Sequence, residues 1–197
     1  MDAGITFTHF VQSEWTKNLI TSTIVFNISQ FFLSLNHQLL PLIMDKVELN
    51  QKVLTFFKNY LIGRKTRYLW NNFQSSYNVN ISIHQGLALS PILSTLYLSS
   101  IFHILEKHLK ILKIPISIIS FVNDGLFISQ NKSISHSNTN LFCSCNIISF
   151  LLMKFRLVVE HEKTEVFHFS RLYGAFNPPL LDLTTIEGSI RLPRALW

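Results

Sequence analysis

Ile114-Pro115-Ile116-Ser117-Ile118-Ile119-Ser120-Phe121-Val122-Asn123-Asp124-Gly125-Leu126-Phe127-Ile128-Ser129 decides the fold of this chain. Residues 114–121 and 125–129 are two β-rich runs, and Val122-Asn123-Asp124 joins them, so the pattern predicts a β-hairpin. Upstream, Thr21 to Ile28 is β-branched and apolar and reads as a buried strand. Downstream, Leu157 to Val159 and Glu165 to Phe169 read as a second hairpin with Lys163 near its turn.

Helical patterns lie between these strands. Leu35 to Met44 reads as a short helix with Ser34 or Asn36 near its cap. Val47 to Ile62 reads as another, with Val53, Leu54, Phe57, Tyr60 and Leu61 at helical spacing and Gly63 as its left-handed terminator. Tyr77 to Ile83 alternates as a strand. Ser90 followed by Pro91 predicts a helix start, with the helix running to about Lys110. Leu141 to Phe155 reads as a last helix. The expected class is α+β, an antiparallel sheet packed on helices that cover one face. One domain is expected over residues 1–197, with 177–197 an irregular tail.

Composition narrows the function. The chain has 197 residues, enough for a domain with a real core. It is 48% hydrophobic and only 14% charged, and its mean hydropathy is +0.28. No formal charge lies between Lys17 and Asp45 or between Tyr68 and Glu106. Both runs are long enough to span a bilayer, and Gly86 to Leu105 is the best single candidate. Polar residues such as Asn27, Gln30, Asn36, Asn78 and Asn80 interrupt them, and these are costly in hydrocarbon. The expectation is no membrane span. Net charge is +6 with pI ≈ 9.4, a mild excess compatible with a polyanionic partner. Cys143 and Cys145 match neither a common zinc set nor a disulfide framework, so reduced thiols and an intracellular setting are expected. Met1-Asp2 opens no secretory signal. His37, His84, His103 and His161 share no metal spacing and read as structural or exposed.

Four segments in order carry a family likeness: Phe26-Asn27-Ile28-Ser29-Gln30-Phe31-Phe32, Gln85-Gly86-Leu87-Ala88-Leu89-Ser90-Pro91, Phe121-Val122-Asn123-Asp124 and Lys163-Thr164-Glu165. Together they resemble the reverse-transcriptase palm of non-LTR (LINE-like) retrotransposons, from roughly Ser13 to the C-terminus. The resemblance implies a polymerase palm with partial fingers and no complete thumb. It also implies an RNA template, a DNA primer and Mg²⁺ held between carboxylates. In the family pattern Asn27 and Asn123 sit where metal-binding Asp residues stand, and Asp124 is the carboxylate left. Phe32 falls at the aromatic position that excludes a ribose 2′-hydroxyl. Gln85 and Gly86 fall where the incoming nucleotide and template are contacted. Lys163 falls at the lysine proposed to protonate pyrophosphate. Arg64, Lys65 and Arg67 are candidates to grip template phosphates.

Taken singly, each piece also has a plain structural reading. Ser90-Pro91 is a helix start, Phe32 a core aromatic, Asn123-Asp124 ordinary turn chemistry, and the basic run a solvated face. Phosphoryl transfer rests on metals clamping the reacting oxygens. A site reduced to one carboxylate is therefore expected to be catalytically impaired. Only 26 residues precede Asn27, too few for the family's fingers, so a fragment of a longer reading frame is expected. Two other readings stay open: a non-enzymatic remnant that binds nucleic acid, and a membrane protein.

Overall fold

The computed structural model describes residues 3–71, 73–83, 86, 88–170, 182–185, 188–191 and 194–196. Strand β1 (Ile20–Ser29) is the centre of the molecule. The hairpin β4 (Ser117–Phe121) and β5 (Asp124–Asn131) lies along one side of it, and β6 (Val158–Phe169) along the other. The sheet order is β4-β5-β1-β6-β9, with β9 spanning Arg194–Leu196. All pairings are antiparallel except that of β6 with β9.

The burial of β1 explains its place. Its first five residues are buried on both faces, and helix α1 (Ala3–Trp15) packs against it. From Val25 onward burial alternates: Phe26 and Ile28 are buried, while Val25, Asn27 and Ser29 are half-buried. The buried side faces a core built largely by α5 (Ser90–Ile111) and α6 (Ile134–Lys154). Leu93, Tyr97, Ile101, Leu105 and Leu109 of α5 recur every four residues and are all buried. Burying each such side chain contributes about 1.5–3 kcal/mol. The stretch from Ser90 to Leu105 within the second uncharged run is thus core-facing helix, and among the described residues no helix is long and apolar enough to cross a membrane.

Several expectations are corrected. The helix expected over 35–44 starts later, as α3 (Leu39–Lys46), and a separate turn of helix, α2 (Phe31–Ser34), precedes the expected span. Asn36 Oδ1 accepts hydrogen bonds from the Gln38 and Leu39 amides, at 2.8 and 3.4 Å, and so starts α3. Helix α4 (Gln51–Leu61) begins later than expected because Asn50 caps it, accepting from Lys52 N at 2.9 Å. Gly63 takes φ +68° just after it, as expected. In α5, Ser90 is the first helical residue and Leu89 the cap, without a side-chain bond.

The strand expected over 77–83 is displaced. A separate ribbon of β2 (Lys65–Trp70) and β3 (Phe73–Asn78) occupies this region, followed by an isolated bridge between Asn36 and Ile81. Nearly every residue of the ribbon is exposed, so neither strand has a buried face. The second expected hairpin is one long strand, β6. It pairs with β1 before and after a register shift, from Val25↔Glu165 to Asn27↔Glu160. A strand that bulges away and rejoins the same neighbour leaves the same two-run pattern in sequence as a hairpin does. The tail expected to be irregular holds β7 (Asp182–Thr185) and β8 (Gly188–Arg191) as a hairpin, besides β9.

Candidate active site and nucleic-acid surface

The site is a row across three strands. Asn27 of β1 is paired with Asp124, the first residue of β5, and with Glu160 of β6. Paired residues of antiparallel neighbours share a face, and here it is the face away from the buried Phe26 and Ile28. Asn27 Nδ2 donates to Asp124 Oδ1 at 2.7 Å. Lys163 Nζ lies 2.9 Å from Glu160 Oε1 and donates to Oε2 at 3.0 Å. The bulge is drawn in by Thr164 Oγ1, which donates to the Glu160 carbonyl at 3.1 Å.

The hairpin tip is built under strain. Val122 sits at φ +55°, a left-handed conformation that a β-branched residue adopts only when its surroundings impose it. The Asn123 carbonyl accepts from Ile28 N at 2.9 Å, which ties the tip to the end of β1. Gly125 allows the close approach beneath: a Cβ there would overlap the Phe26 ring.

Phe32 is half-buried against the core, its ring 5.5 Å from that of Phe31. Its carbonyl accepts from Ile83 N at 2.7 Å, so the chain leading into Gln85-Gly86 is anchored beside it. Gln85 lies outside the described residues, as does His84. Gly86 is exposed with φ +91°, a conformation that glycine permits. Arg64 precedes β2, and Lys65 and Arg67 lie on it, in the ribbon rather than in the main sheet. His37 is buried and its Nε2 donates to Ser82 O at 2.6 Å, so it is structural; His103 is exposed.

Two divalent ions need several anionic oxygen ligands between them. The residues present do not fit that pair. Asp124 already accepts from an amide N–H, Asn27 offers at most a neutral oxygen, and the nearby Glu160 is engaged by Lys163. Among the described residues no group of three or more His, Cys, Asp or Glu side chains is placed to hold a metal ion. Sequence reading missed Glu160. It lies three residues before Lys163, but only the register of β6 on β1 brings it beside Asn27.

A mixed sheet with α5 and α6 on one face, α1 over the start of β1 on the other, and a strand end joined to a facing hairpin tip, corrects the one-face expectation and is a palm-like arrangement. The family model for reverse transcriptase (RNA-dependent DNA polymerase) matches residues 4–187. The chain belongs to the reverse transcriptase family. Among solved structures it is similar to an apo telomerase from Candida tropicalis lacking its C-terminal domain. The TM-score is 0.64 at 16% identity, covering 97% of this chain and 39% of that one. A telomerase of the same organism in complex with a TWJ fragment of telomeric RNA gives a TM-score of 0.62 at 14% identity, covering 83% of this chain and 29% of that one. The Candida albicans telomerase gives 0.54 at 13% identity, covering 92% and 33%. These likenesses are of fold, and this chain spans 39% or less of each of those chains. No curated protein matches the sequence.

Proposed function

We propose that this chain is the palm of a non-LTR (LINE-like) retrotransposon reverse transcriptase, descended from an RNA-directed DNA polymerase and impaired in catalysis. The observation that carries the reading is the Asn27–Asp124 hydrogen bond joining β1 to the hairpin tip. Two of the motifs that resemble the family's metal-binding segments meet there, and an amide hydrogen is directed at the carboxylate. In this reading Asn27 and Asn123 stand at lost Asp positions, and Asp124 is the surviving acid. Lys163 keeps the place of the proton donor, tethered by Glu160. Phe32, Gln85 and Gly86 frame the nucleotide position, and an RNA template and DNA primer are the partners. The retrotransposon assignment is supported by the order and spelling of the four motifs. Nucleic-acid binding without synthesis is the companion reading, supported by the basic residues Arg64, Lys65 and Arg67 at the start of the exposed ribbon.

Primer extension on an RNA template with Mg²⁺ tests this. The unmodified chain is expected to incorporate no nucleotide above background. The double variant Asn27→Asp with Asn123→Asp is expected to gain. Each electrostatic group of this kind is worth on the order of 10²–10³ in rate, so restoring both opens a window of about 10⁴-fold. Extension by the unmodified chain overturns the impairment. A folded double variant that holds primer and template without extending places the lesion beyond these two residues.

A further inference from the structure

The β2–β3 ribbon is two-faced in a way the site above does not use. Its pairing puts Thr66 opposite Tyr77, Tyr68 opposite Ser75, and Trp70 opposite Phe73. Cross-strand partners and residues two apart share a face, so Tyr68, Trp70, Phe73 and Tyr77 form one aromatic surface. The Tyr68 and Tyr77 rings meet edge to face at 5.7 Å, which confirms the shared side. All four are open to solvent: Tyr68 60%, Trp70 78%, Phe73 66% and Tyr77 58% exposed. At the base of the ribbon lies a cleft of about 260 Å³ lined by Arg64, Lys65, Thr66, Val79 and Ser82. Arg64 stacks over Tyr60 at 5.2 Å. Its Nη1 is buried and has no hydrogen-bond partner among the described residues. Thr66 belongs to both features, lining the cleft and heading the aromatic face. Two of the residues lining the cleft are cationic and none is acidic, so the lining favours an anion.

We infer that this cleft takes a backbone phosphate of a single-stranded nucleic acid whose adjoining bases stack on Tyr77, Tyr68 and Trp70. A guanidinium lining a cationic cleft beside a lysine is matched by phosphate oxygens. Exposed aromatics in series suit unpaired bases, because every base has a π-face. A duplex hides those faces, so the surface selects single strands. Arg67 lies on the opposite side of the ribbon, in line with Lys65 and Leu69, and contributes general charge only. This rests on the reading of the chain as a nucleic-acid-handling domain.

The test is binding of the full chain to a labelled single strand of about 12 nucleotides, a length within the usual footprint of such surfaces. Fluorescence polarisation is read across a salt series. Arg64→Gln is expected to weaken binding about tenfold and to make the log–log salt slope shallower by about 0.7, one phosphate's share for a single strand. Arg64→Lys, keeping charge without the fork, should fall between. Tyr68→Ala with Tyr77→Ala should weaken single-strand binding at least about fivefold and leave duplex binding unchanged. Strand binding should quench tryptophan fluorescence, and Trp70→Phe should abolish the quench. Circular dichroism confirms that each variant is folded. If Arg64→Gln and Arg64→Lys bind as the parent does, or if Arg67→Gln costs as much as Arg64→Gln, the inference is overturned. Equal binding of duplex and single strand overturns it too. Full displacement of the strand by inorganic phosphate at matched ionic strength, with the tyrosine variants neutral, marks a free-phosphate site and also overturns it. These outcomes leave the reading of Asn27 and Asn123 standing, since primer extension decides that separately.

Discussion

At the scale of single residues, Gly125 shows how a motif and its support are linked. It follows Asp124 directly, and its register partner on β1 is Phe26. The Phe26 ring covers the space a side chain would need and packs on Phe127 at 4.9 Å between centroids. A glycine here is required by tertiary crowding, since its φ is not left-handed. Gly125→Ala is expected to lower stability by about 1–3 kcal/mol, the usual cost of overpacking. Urea unfolding measures it, and Phe26→Leu in the same chain should recover part of the loss by making room. A neutral Gly125→Ala would show that the ring swings aside without strain. The neighbouring Val122, at φ +55°, is the opposite case, where a branched residue is held in a costly conformation at the tip.

At the scale of elements, a polar contact inside the apolar core ties α5 to the end of α6. Tyr97 is fully buried on α5. Its hydroxyl donates to the carbonyl of Phe155, the residue that ends α6, at 3.1 Å, and the two rings meet edge to face at 5.9 Å. Burial pushes the Tyr97 phenol up from 10.0 to about 12, against smaller opposing pulls from the Asn36 backbone and the Arg156 charge. The folded chain therefore keeps this phenol protonated where the unfolded chain releases its proton. The stabilisation is complete below pH 10 and is lost as pH rises through about 12. Tyr97→Phe is expected to cost about 1 kcal/mol at neutral pH through the lost hydrogen bond. It should also lose less stability than the parent between neutral pH and pH 11–12. Urea midpoints for both chains across that range check this, and parallel losses would exclude Tyr97 as the titrating group.

At the scale of the whole molecule, the two cysteines separate core from surface within one helix. Cys145 is buried in the main core, and burial pushes its thiol far up. Cys143, two residues earlier on α6, is half-buried. The thiolate is the reactive form, so a thiol reagent at neutral pH should modify Cys143 alone in the folded chain. Both should react in urea. The rate at Cys145 then reports global unfolding, and mass spectrometry of the labelled peptides distinguishes the sites. Equal labelling of both thiols in the absence of denaturant would mean that α6 leaves the sheet far more readily than its packing implies.

Sequence and tertiary structure divide the account along a physical line. The hairpin at 117–131, the strand at 20–29 and the long helix from Ser90 were legible because local pattern reports burial and turn chemistry directly. The order of motifs around Asn27, Asn123 and Lys163 was legible for the same reason, since each is a short local string. Partners distant in sequence were not. Asn27 and Asp124 are 97 residues apart, and their hydrogen bond exists because β5 settles against β1 in one register. Glu160 enters the row only through the bulge that shifts β6 against the same strand. The β2–β3 ribbon escaped notice because its alternate aromatics are interspersed with Thr66 and Ser75 and stay exposed, so it lacks the apolar stripe of a buried strand. What sequence alone determined is the family likeness and the residue types at the site. Register decided which of those residues touch, because a strand's neighbours are chosen by pairing across the sheet and not by distance along the chain.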